Sequence, residues 1–372
     1  MKILFIGHTT GYGGAAISFT TNLRHLIETN QVDPKECLVA VPHNERNWCE
    51  GAYWWFKDKI PFRFWFMPFS VAEKGGSKRI RSKLYSIVKE TVSIILFLGV
   101  YNHRIRKEKV THIHLNSFVF WSLLPFLPKE IIKIIHVREM MSDDFSGRFA
   151  ARIINKYADK IIAISAQCAE KLPGAIICEN PYTMYRARQY RNVRNELKSR
   201  IGLNENPFIV SVIAPIGKQK GYEFLVKVIE RTPEITFVII GKPYRDGQAL
   251  YHQLLNFPNV RIYPGGEDMD KFYAITDIVL RCEEYLPLGR TVFEGIYAGC
   301  IAVLPVNDTD KTQEIDHYLG EQIYLYPAGD VVSCGNLLRS ISHQYPDGIY
   351  NNGFEPTTNV PTSAQKFKEA LL

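Results

Sequence analysis

The sequence has few cysteines and no long hydrophobic run, and each of these features argues against particular classes of protein. Its seven cysteines are scattered, and no two have the C-x-x-C spacing of zinc sites or redox motifs. The longest apolar stretch, Val92–Tyr101, is about half as long as a membrane-spanning helix requires. The apolar start of the chain ends at Gly7-His8, short of the core of a secretory signal. We therefore expect a cytoplasmic protein without a disulfide framework.

Acidic residues are scarce in one segment, which holds most of the excess positive charge. The formal net charge is +7, and residues 74–109 contain ten Lys or Arg but only two Glu. Clusters of this kind attract anionic lipid head groups or nucleic acid. The segment follows an aromatic-rich stretch, 48–69, and cations beside aromatic rings suit a membrane interface. We therefore expect contact with an anionic membrane surface through 74–109. The alternative is that the aromatic residues form core and the charges a solvated face.

Short apolar runs alternate with helical patterns along most of the chain, which predicts βαβ units and parallel sheets. The length of 372 residues favours two domains, because single cores stop growing well below it. Asn180-Pro181 and the aperiodic residues after it mark the joint. We therefore predict an α/β protein of two Rossmann-like domains, 1–185 and 186–355, and a terminal helix within 356–372. That helix is predicted to open with a capping box at 362–365.

A glycine cluster follows the first predicted strand. Gly11, Gly13 and Ala16 formally match the dinucleotide fingerprint G-x-G-x-x-A. Strand 1 ends near Gly7, however, so the first glycine does not end the strand, and no acidic residue follows a second strand at the expected distance. Two other interpretations stay open: a wider loop whose backbone N–H groups face a phosphate at a helix N-terminus, or glycines that serve a turn only.

The second half contains two loops with the residue types that bind a diphosphate. Lys218 and Lys220 follow a predicted strand, and Gly221 would let the backbone approach a ligand. Further on, Gly289 and Arg290 precede a predicted helix that opens at Thr291. The helix N-terminus offers free N–H groups, and Arg290 adds a bidentate donor. Glu294 lies one turn into the helix, where its carboxylate could bind ribose hydroxyls. The alternative is a capping box, Thr291-x-x-Glu294, in which Glu294 only caps its own helix.

These motifs, taken in order, resemble those of the family-4 glycosyltransferases, which are retaining enzymes of the GT-B fold. The first domain contributes Gly13-Gly14-Ala15, His114-Leu115-Asn116-Ser117, His136-Val137-Arg138-Glu139, Ala163-Ile164-Ser165 and Asn180-Pro181. The second contributes Lys220-Gly221, Gly241, Val260-x-x-Tyr-Pro-Gly265, Tyr273-Ala274, Asp277 and an element like E-x7-E that ends at Glu294. The resemblance spans roughly 1–305 and the last helix. It implies two sheets facing across a cleft, with the C-terminal helix returning to the first domain.

The resemblance also implies roles for individual residues. The first domain would lie on the acceptor side and the second would bind the nucleotide sugar. The catalytic group would comprise His136 beside the donor sugar, Lys220 on the diphosphate, Arg290 and Glu284. Donor binding would involve Gly13, Gly14, Lys218, Gly241, Gly289, Thr291 and Glu294. Acceptor-side residues would be Asn116, Arg138 and Glu139.

The sequence departs from the family pattern at two positions. The first glutamate of E-x7-E would stand eight residues before Glu294, where this chain has Leu286. Either the loop is rearranged and Glu284 contacts the donor sugar, or that contact is lost. The basic residue that usually precedes the lysine is replaced by Pro215, and Lys218 or Arg290 would substitute for it.

We therefore expect a hexosyltransferase that moves a sugar from a UDP- or GDP-sugar to a glycan or a lipid-linked acceptor, in the synthesis of a surface polysaccharide or glycolipid. No metal or other cofactor is expected, because Asp308-Thr309-Asp310 has the Asp-x-Asp spelling of metal-dependent transferases but follows a strand as a polar loop. No nucleic-acid-binding module is visible, so no nucleic acid partner is expected. The alternatives are another GT-B enzyme, such as a nucleotide-sugar epimerase, and a non-catalytic member that binds a glycan or a partner.

Overall fold

The chain divides into two compact units. The computed structural model describes residues 1–8, 14–43, 51–67, 80–142, 144–182, 194–200, 202–203, 208–265, 269–346, 348–349 and 358–372, with only the backbone described over 80–87. One unit comprises Met1–Pro181 and Asn359–Leu372, and the other comprises Tyr182–Thr358. Across the described ranges, the structure contains no helix with the length and apolar character needed to cross a membrane.

The first unit is built on a parallel sheet of seven strands. In chain order they are β1 (Ile3–Ile6), β2 (Cys37–Pro42), β3 (Phe62–Trp65), β4 (His112–Leu115), β5 (Ile132–Val137), β6 (Lys160–Ala163) and β7 (Ile176–Ile177). Their order across the sheet is β3-β2-β1-β4-β5-β6-β7. They agree with the parallel sheet that the alternation of apolar runs and helical patterns predicts, and strands such as β1 and β2 are fully buried apolar runs. The two-residue β7 was not predicted because it is too short to show a pattern.

Helices cover both faces of this sheet. They are α1 (Gly14–Glu28), α2 (Ile80–Leu96), α3 (Asn102–Lys107), α4 (Phe145–Tyr157), α5 (Ala166–Ala169) and the terminal helix Val360–Leu371. A π-helical turn, Phe97–Tyr101, joins α2 to α3, and a 3-10 segment spans Phe118–Phe126. The π-turn, α3, the 3-10 segment and α4 bury their apolar residues in one cluster. Helix α1 and the terminal helix share a second cluster with the region around Tyr53.

The terminal helix packs against α1 in the first unit. The buried Asn22 amide donates to the Ser363 hydroxyl at 3.0 Å, and that hydroxyl donates to the Glu179 carbonyl at 2.7 Å. The predicted capping box at 362–365 is wrong. The helix begins at Val360 with Pro361 in its first turn, and no side chain caps it. Proline suits this position because its fixed φ fits a first turn that needs no N–H donor.

The second unit has a parallel sheet of six strands in the order β10-β9-β8-β11-β12-β13. The strands are β8 (Ile209–Ile213), β9 (Thr236–Ile240), β10 (Val260–Tyr263), β11 (Ile278–Leu280), β12 (Ile301–Val306) and β13 (Ile323–Pro327). The helices are α6 (Arg194–Arg200), α7 (Tyr222–Arg231), α8 (Gln248–Leu254), α9 (Met269–Ile275), α10 (Arg290–Tyr297) and α11 (Val331–Gln344). The alternation of strands and helices in both units confirms the predicted α/β class.

A buried ion pair fastens α6 to this sheet. Arg194 and Asp277 lie 2.6 Å apart, and both are almost completely buried. Asp277 also accepts the backbone N–H groups of Ile209 and Ile349, each at 2.8 Å, while Arg194 donates to the Ala274 carbonyl. Because both carboxylate oxygens of Asp277 are satisfied, the charge is compensated within the core.

Candidate functional site

The strand order reverses beside β8 and β11, which places two loops at one edge of the second sheet. Successive strands run outward from β8 through β9 to β10 on one side, and from β11 to β13 on the other. In open parallel sheets, ligands bind at the carboxyl ends of the strands where the order reverses. The loop with Lys220 follows β8, and the loop 281–289 follows β11. Both sequence-predicted diphosphate elements therefore share this edge.

Glycine at position 221 is what allows these two loops to touch. Gly221 has φ +71°, and a Cβ there would lie 1.7 Å from the Cys282 carbonyl oxygen. Any other residue would clash with that carbonyl and strain the backbone. A Cβ on Gly241 would similarly lie 2.1 Å from the Ala214 carbonyl oxygen. Both glycines therefore allow two loops to pack closely against each other. For Gly241, this packing is a structural reason for glycine, in addition to its predicted role in donor binding.

Close packing of the loops brings Lys220 to a buried carboxylate. Lys220 Nζ lies 3.5 Å from Glu283 Oε1; the glutamate side chain is 1% exposed and the lysine 31%. The Arg281 guanidinium donates to both oxygens of the same carboxylate. Burial opposes ionisation of Glu283, but the charge and hydrogen bonds of Arg281 outweigh it and hold the pKa of Glu283 below its ordinary value. The trio therefore carries a net positive charge, with Lys220 as its solvent-facing end.

Arg281 also connects this cluster to the first turn of α10. Its Nη1 donates to Thr291 Oγ1 at 2.6 Å, while its backbone carbonyl accepts the Tyr326 hydroxyl at 2.6 Å. Gly289 precedes the helix, and no side chain caps the helix there. The carbon of Gly289 faces open space, since an added Cβ would meet only Arg281 Nη1, at 3.8 Å. The N-terminus of α10 is thus fixed in position and accessible to a ligand.

Glu294 is held by two side chains and does not cap its helix. The Tyr273 hydroxyl donates to Glu294 Oε2 at 2.7 Å, and Arg290 forms an ion pair with Oε1. The helix begins at Arg290, and Thr291 is bound by Arg281, so the capping-box alternative is wrong. Burial, and then the neighbouring carboxylate, raise the pKa of Tyr273 well above its ordinary value, which keeps its hydroxyl protonated as a donor.

Two predicted residues of this unit lie at exposed positions. Lys218 forms an ion pair with Glu223 at 2.8 Å, and both side chains are mostly exposed. Its pKa is raised by that hydrogen bond. Glu284 is exposed, whereas the adjacent Glu283 is buried. The structure therefore directs Glu283, and not Glu284, towards Lys220.

Leu286, at the position of the expected carboxylate, is buried in a small apolar cluster with Val292 and Ile296. Its backbone N–H donates at 2.8 Å to the carboxylate of Asp310, which also accepts the Asn307 N–H. Asp310 thus shapes the loop through backbone contacts. Across the described ranges, no three His, Cys, Asp or Glu side chains are grouped so as to hold a metal ion; metal independence stays a prediction.

In the first unit, the predicted acceptor-side residues form hydrogen bonds around one arginine. Arg138, just after β5, donates to Asn116 Oδ1 at 3.0 Å and to Asn180 Oδ1 at 2.8 Å. The Asn116 amide donates to the Ala15 carbonyl at 3.2 Å, beside the start of α1. Glu139 accepts the hydroxyl of Ser117 and the N–H of Phe118, so it orders the segment after β4. Gly14 begins α1, while Gly13 lies outside the described residues.

His136 is buried next to this arginine. Its Nδ1 lies 3.3 Å from Arg138 Nη2 and 3.4 Å from His114 Nε2. Because guanidinium can only donate, this Nδ1 is the acceptor and the ring proton lies on Nε2. Burial, followed by the charge of Arg138, lowers the pKa of His114 to about 3 and that of His136 well below its ordinary value. Both rings contact Phe367 of the terminal helix. His136 is thus a neutral group.

Sequence reasoning missed four residues of these networks: Arg281, Glu283 as the partner of Lys220, Tyr273 as the donor to Glu294, and Asn180 as a partner of Arg138. Arg281 directly follows the apolar run Ile278–Leu280, and a lone arginine after a strand has no distinctive pattern. Glu283 and Glu284 are neighbours in a loop, and no periodicity there tells which of the two carboxylates points inward.

Comparison with known proteins finds similarity to glycosyltransferases, mostly in the second unit. Residues 193–324 match the family model described as "Glycosyl transferases group 1". A segment of 124 residues, 31% of the chain, is 32% identical to alpha-galactosylglucosyldiacylglycerol synthase of Streptococcus pneumoniae and covers 32% of it. Another of 161 residues, 42% of the chain, is 27% identical to sulfoquinovosyl transferase SQD2 of Arabidopsis thaliana and covers 30% of it. Each match thus spans about a third of the relative's length.

The fold likeness extends over the whole chain. HepE of Anabaena, solved in complex with UDP and glucose, superposes with a TM-score of 0.73 at 16% identity, covering 100% of this chain and 99% of that one. At this identity the likeness concerns the fold alone. The predicted GT-B fold and the predicted resemblance to glycosyltransferases are confirmed, and the assignment to family 4 stays a prediction.

Proposed function

We propose that this protein is a glycosyltransferase of the hexosyltransferase type, which moves a sugar from a nucleoside-diphosphate sugar to a glycan or lipid-linked acceptor. The observation that carries the proposal is the Lys220–Glu283–Arg281 cluster beside the open N-terminus of α10. A cation held on a buried carboxylate and a helix N-terminus together favour an anion of the size of a diphosphate. The family match covers the same residues.

The chemistry requires stabilisation of a leaving diphosphate. In the proposal Lys220 and the N–H groups of α10 bind it, with Arg290 adding charge, so that preorganised dipoles serve the transition state. Glu294, held by Tyr273, binds the ribose hydroxyls. No metal takes part, and the anomeric configuration is retained, as in the family that the sequence resembles.

His136 is the group at the sugar end, where its neutral ring would act as a hydrogen-bonding group and not as a general acid. The electrostatic reason is that Arg138 faces its Nδ1, so that protonation would place two cations in contact.

For the donor, UDP is the first nucleotide to test, since a structural neighbour of this fold was solved with UDP and glucose. GDP is the second. For the acceptor, one relative is named as a synthase of a glycosylated diacylglycerol, which favours a glycolipid over a soluble glycan. We accordingly place the reaction at the cytoplasmic face of a membrane, in glycolipid or surface polysaccharide synthesis.

Thermal unfolding with and without nucleotide tests the site. UDP or GDP is expected to raise the melting temperature, and K220A and E294A are each expected to abolish the shift. Lys227, an exposed lysine on α7, provides the matched control, and K227A should keep the full shift. A shift unaffected by K220A and E294A would refute the site. Nucleotide released from the donor only when an acceptor is added would exclude an epimerase.

A further inference from the structure

Helix α4 exposes two aromatic rings near its N-terminal end. The side chain of Phe145 is 74% exposed and that of Phe149 is 43% exposed. The rings stack on each other, with centroids 6.0 Å apart and an interplanar angle of 11°, and Phe149 meets the edge of Trp121 at 5.8 Å. Burying a phenylalanine stabilises by about 1.5–3 kcal/mol, and Phe145 gains little of it within the first unit.

The same helix carries only positive charge along its solvent side. Arg148, Arg152 and Lys156 are all exposed, and Phe145–Tyr157 contains no acidic residue. Asp144, just before the helix, is engaged as its N-cap and accepts the Gly147 N–H at 3.0 Å. The exposed side of α4 is therefore basic and has two phenylalanines at one end. This composition is typical of a helix that lies in the interface of an anionic bilayer.

Neighbouring elements of the same layer repeat this combination. The π-turn and α4 both contact the 3-10 segment Phe118–Phe126 and bury residues in the same core cluster. Ile95 of α2 is 61% exposed and Leu98 of the π-turn 53%. Arg104 and Lys107 on α3 are exposed, whereas Glu108, the adjacent acid, is engaged by Arg63 and Lys2.

We propose that this surface docks onto an anionic lipid bilayer. The docking face comprises the exposed apolar residues Ile95, Leu98, Phe145 and Phe149, together with the basic residues of α3 and α4 named above. Charge complementarity selects the occupant: apolar side chains flanked by cations fit acyl chains beneath negative head groups. The role of this face as a route to a lipid-linked acceptor rests on the proposed function, whereas docking itself is measured without catalysis.

The proposal extends the expected membrane contact beyond the segment 74–109, which stays a prediction. Of the aromatic stretch 48–69, Tyr53, Phe56 and Trp65 are buried in core clusters. Residues 74–79 lie outside the described part of the chain, as do the side chains of 80–87. Trp54 and Phe66 of the same stretch are exposed, at 55% and 58%. The proposed docking face uses the rings of α4 instead, which lie beyond the basic segment 74–109.

Vesicle co-sedimentation of the full chain tests the proposal. The wild type should bind vesicles that mix phosphatidylglycerol with phosphatidylcholine, and F145S/F149S should weaken that binding about tenfold or more. F145S alone, at the more exposed position, should weaken it in the same direction. R148Q/R152Q/K156Q should weaken binding to mixed vesicles and make it less sensitive to salt. Trp54, which is 55% exposed outside the docking face, provides the control, and W54S should bind like the wild type.

Three results would overturn the proposal. The first is no binding to mixed vesicles, and the second is equal loss in W54S and F145S/F149S. The third is a dimer of the wild type that F145S/F149S dissociates without any vesicle binding, which would assign the face to a second copy of the chain. The nucleotide-induced rise in melting temperature is measured on each variant, so that a failed docking proposal is distinguished from a failed transferase proposal.

Discussion

Lys220 Nζ lies 3.5 Å from Oε1 of Glu283, a carboxylate whose other contacts are the Arg281 guanidinium and the Cys282 N–H. Glu283 is buried and Lys220 is half-buried, so the buried carboxylate holds the lysine with its ammonium group towards the surface. This relationship holds the lysine in a defined position at the edge of the sheet.

Glu283→Gln is expected to destabilise the protein by about 3–5 kcal/mol, because it leaves the buried Arg281 without a charged partner. It should also weaken nucleotide binding, since Lys220 loses the group that positions it. Urea unfolding and nucleotide titration measure the two effects. Glu284→Gln is the matched control at the adjacent exposed position and should stay within about 0.5 kcal/mol of the wild type. Equal effects of the two substitutions would contradict the assignment.

Tyr273→Phe removes the hydroxyl that donates to Glu294 while keeping the buried ring. Loss of one such hydrogen bond, about 1 kcal/mol, should weaken nucleotide binding about fivefold. Calorimetric titration measures it, with Tyr345→Phe as control because that hydroxyl accepts from Gln344, an exposed glutamine outside the site. An unchanged affinity in Tyr273→Phe would show that Glu294 does not need this donor.

Asp277→Ala should cost about 3–5 kcal/mol of unfolding free energy, since Arg194 would remain buried without its partner and two backbone N–H groups would lose their acceptor. Urea denaturation measures the change. The exposed Asp308 provides the control, and Asp308→Ala should be nearly neutral. A small loss in Asp277→Ala would mean that water replaces the carboxylate.

Acid should destabilise the first unit through its two buried histidines. Their folded pKa values are lowered, so the stability they contribute is fully present above the unfolded value of about 6.5 and is lost as the pH falls below it. Each contributes a slope of up to about 1.4 kcal/mol per pH unit in that range. The melting temperature of His136→Asn should therefore depend less on pH below about 6.5. His103→Asn, at an exposed position, should keep the wild-type dependence.

The two sheets could be predicted from sequence because parallel strands buried on both faces are continuous apolar runs, as in Ile209–Ile213 and Ile301–Val306. The position of Lys220 could be predicted because a lysine before a glycine in a strand-to-helix loop has a distinct pattern. The partner of that lysine could not be predicted. Glu283 is buried because it meets Arg281 and because Gly221 lets the two loops approach closely, and both contacts depend on the tertiary structure. The roles predicted for the other site residues stay predictions.

The start of α10 shows the same limit. Thr291-x-x-Glu294 has the spelling of a capping box, yet the helix begins one residue earlier and both side chains bind partners from other elements. Local sequence cannot weigh such tertiary partners against a local cap. The exposed Phe145 and Phe149 likewise gave no signal, because apolar residues four apart on a helix normally indicate a buried face.

The most direct test of the account is calorimetric titration of UDP into the wild type, K220A and K227A. The account predicts saturable binding by the wild type and K227A, and binding weakened about tenfold or more in K220A, because a charge-assisted contact to phosphate is lost. Equal affinity in all three proteins, or no binding of either UDP or GDP by the wild type, would contradict it.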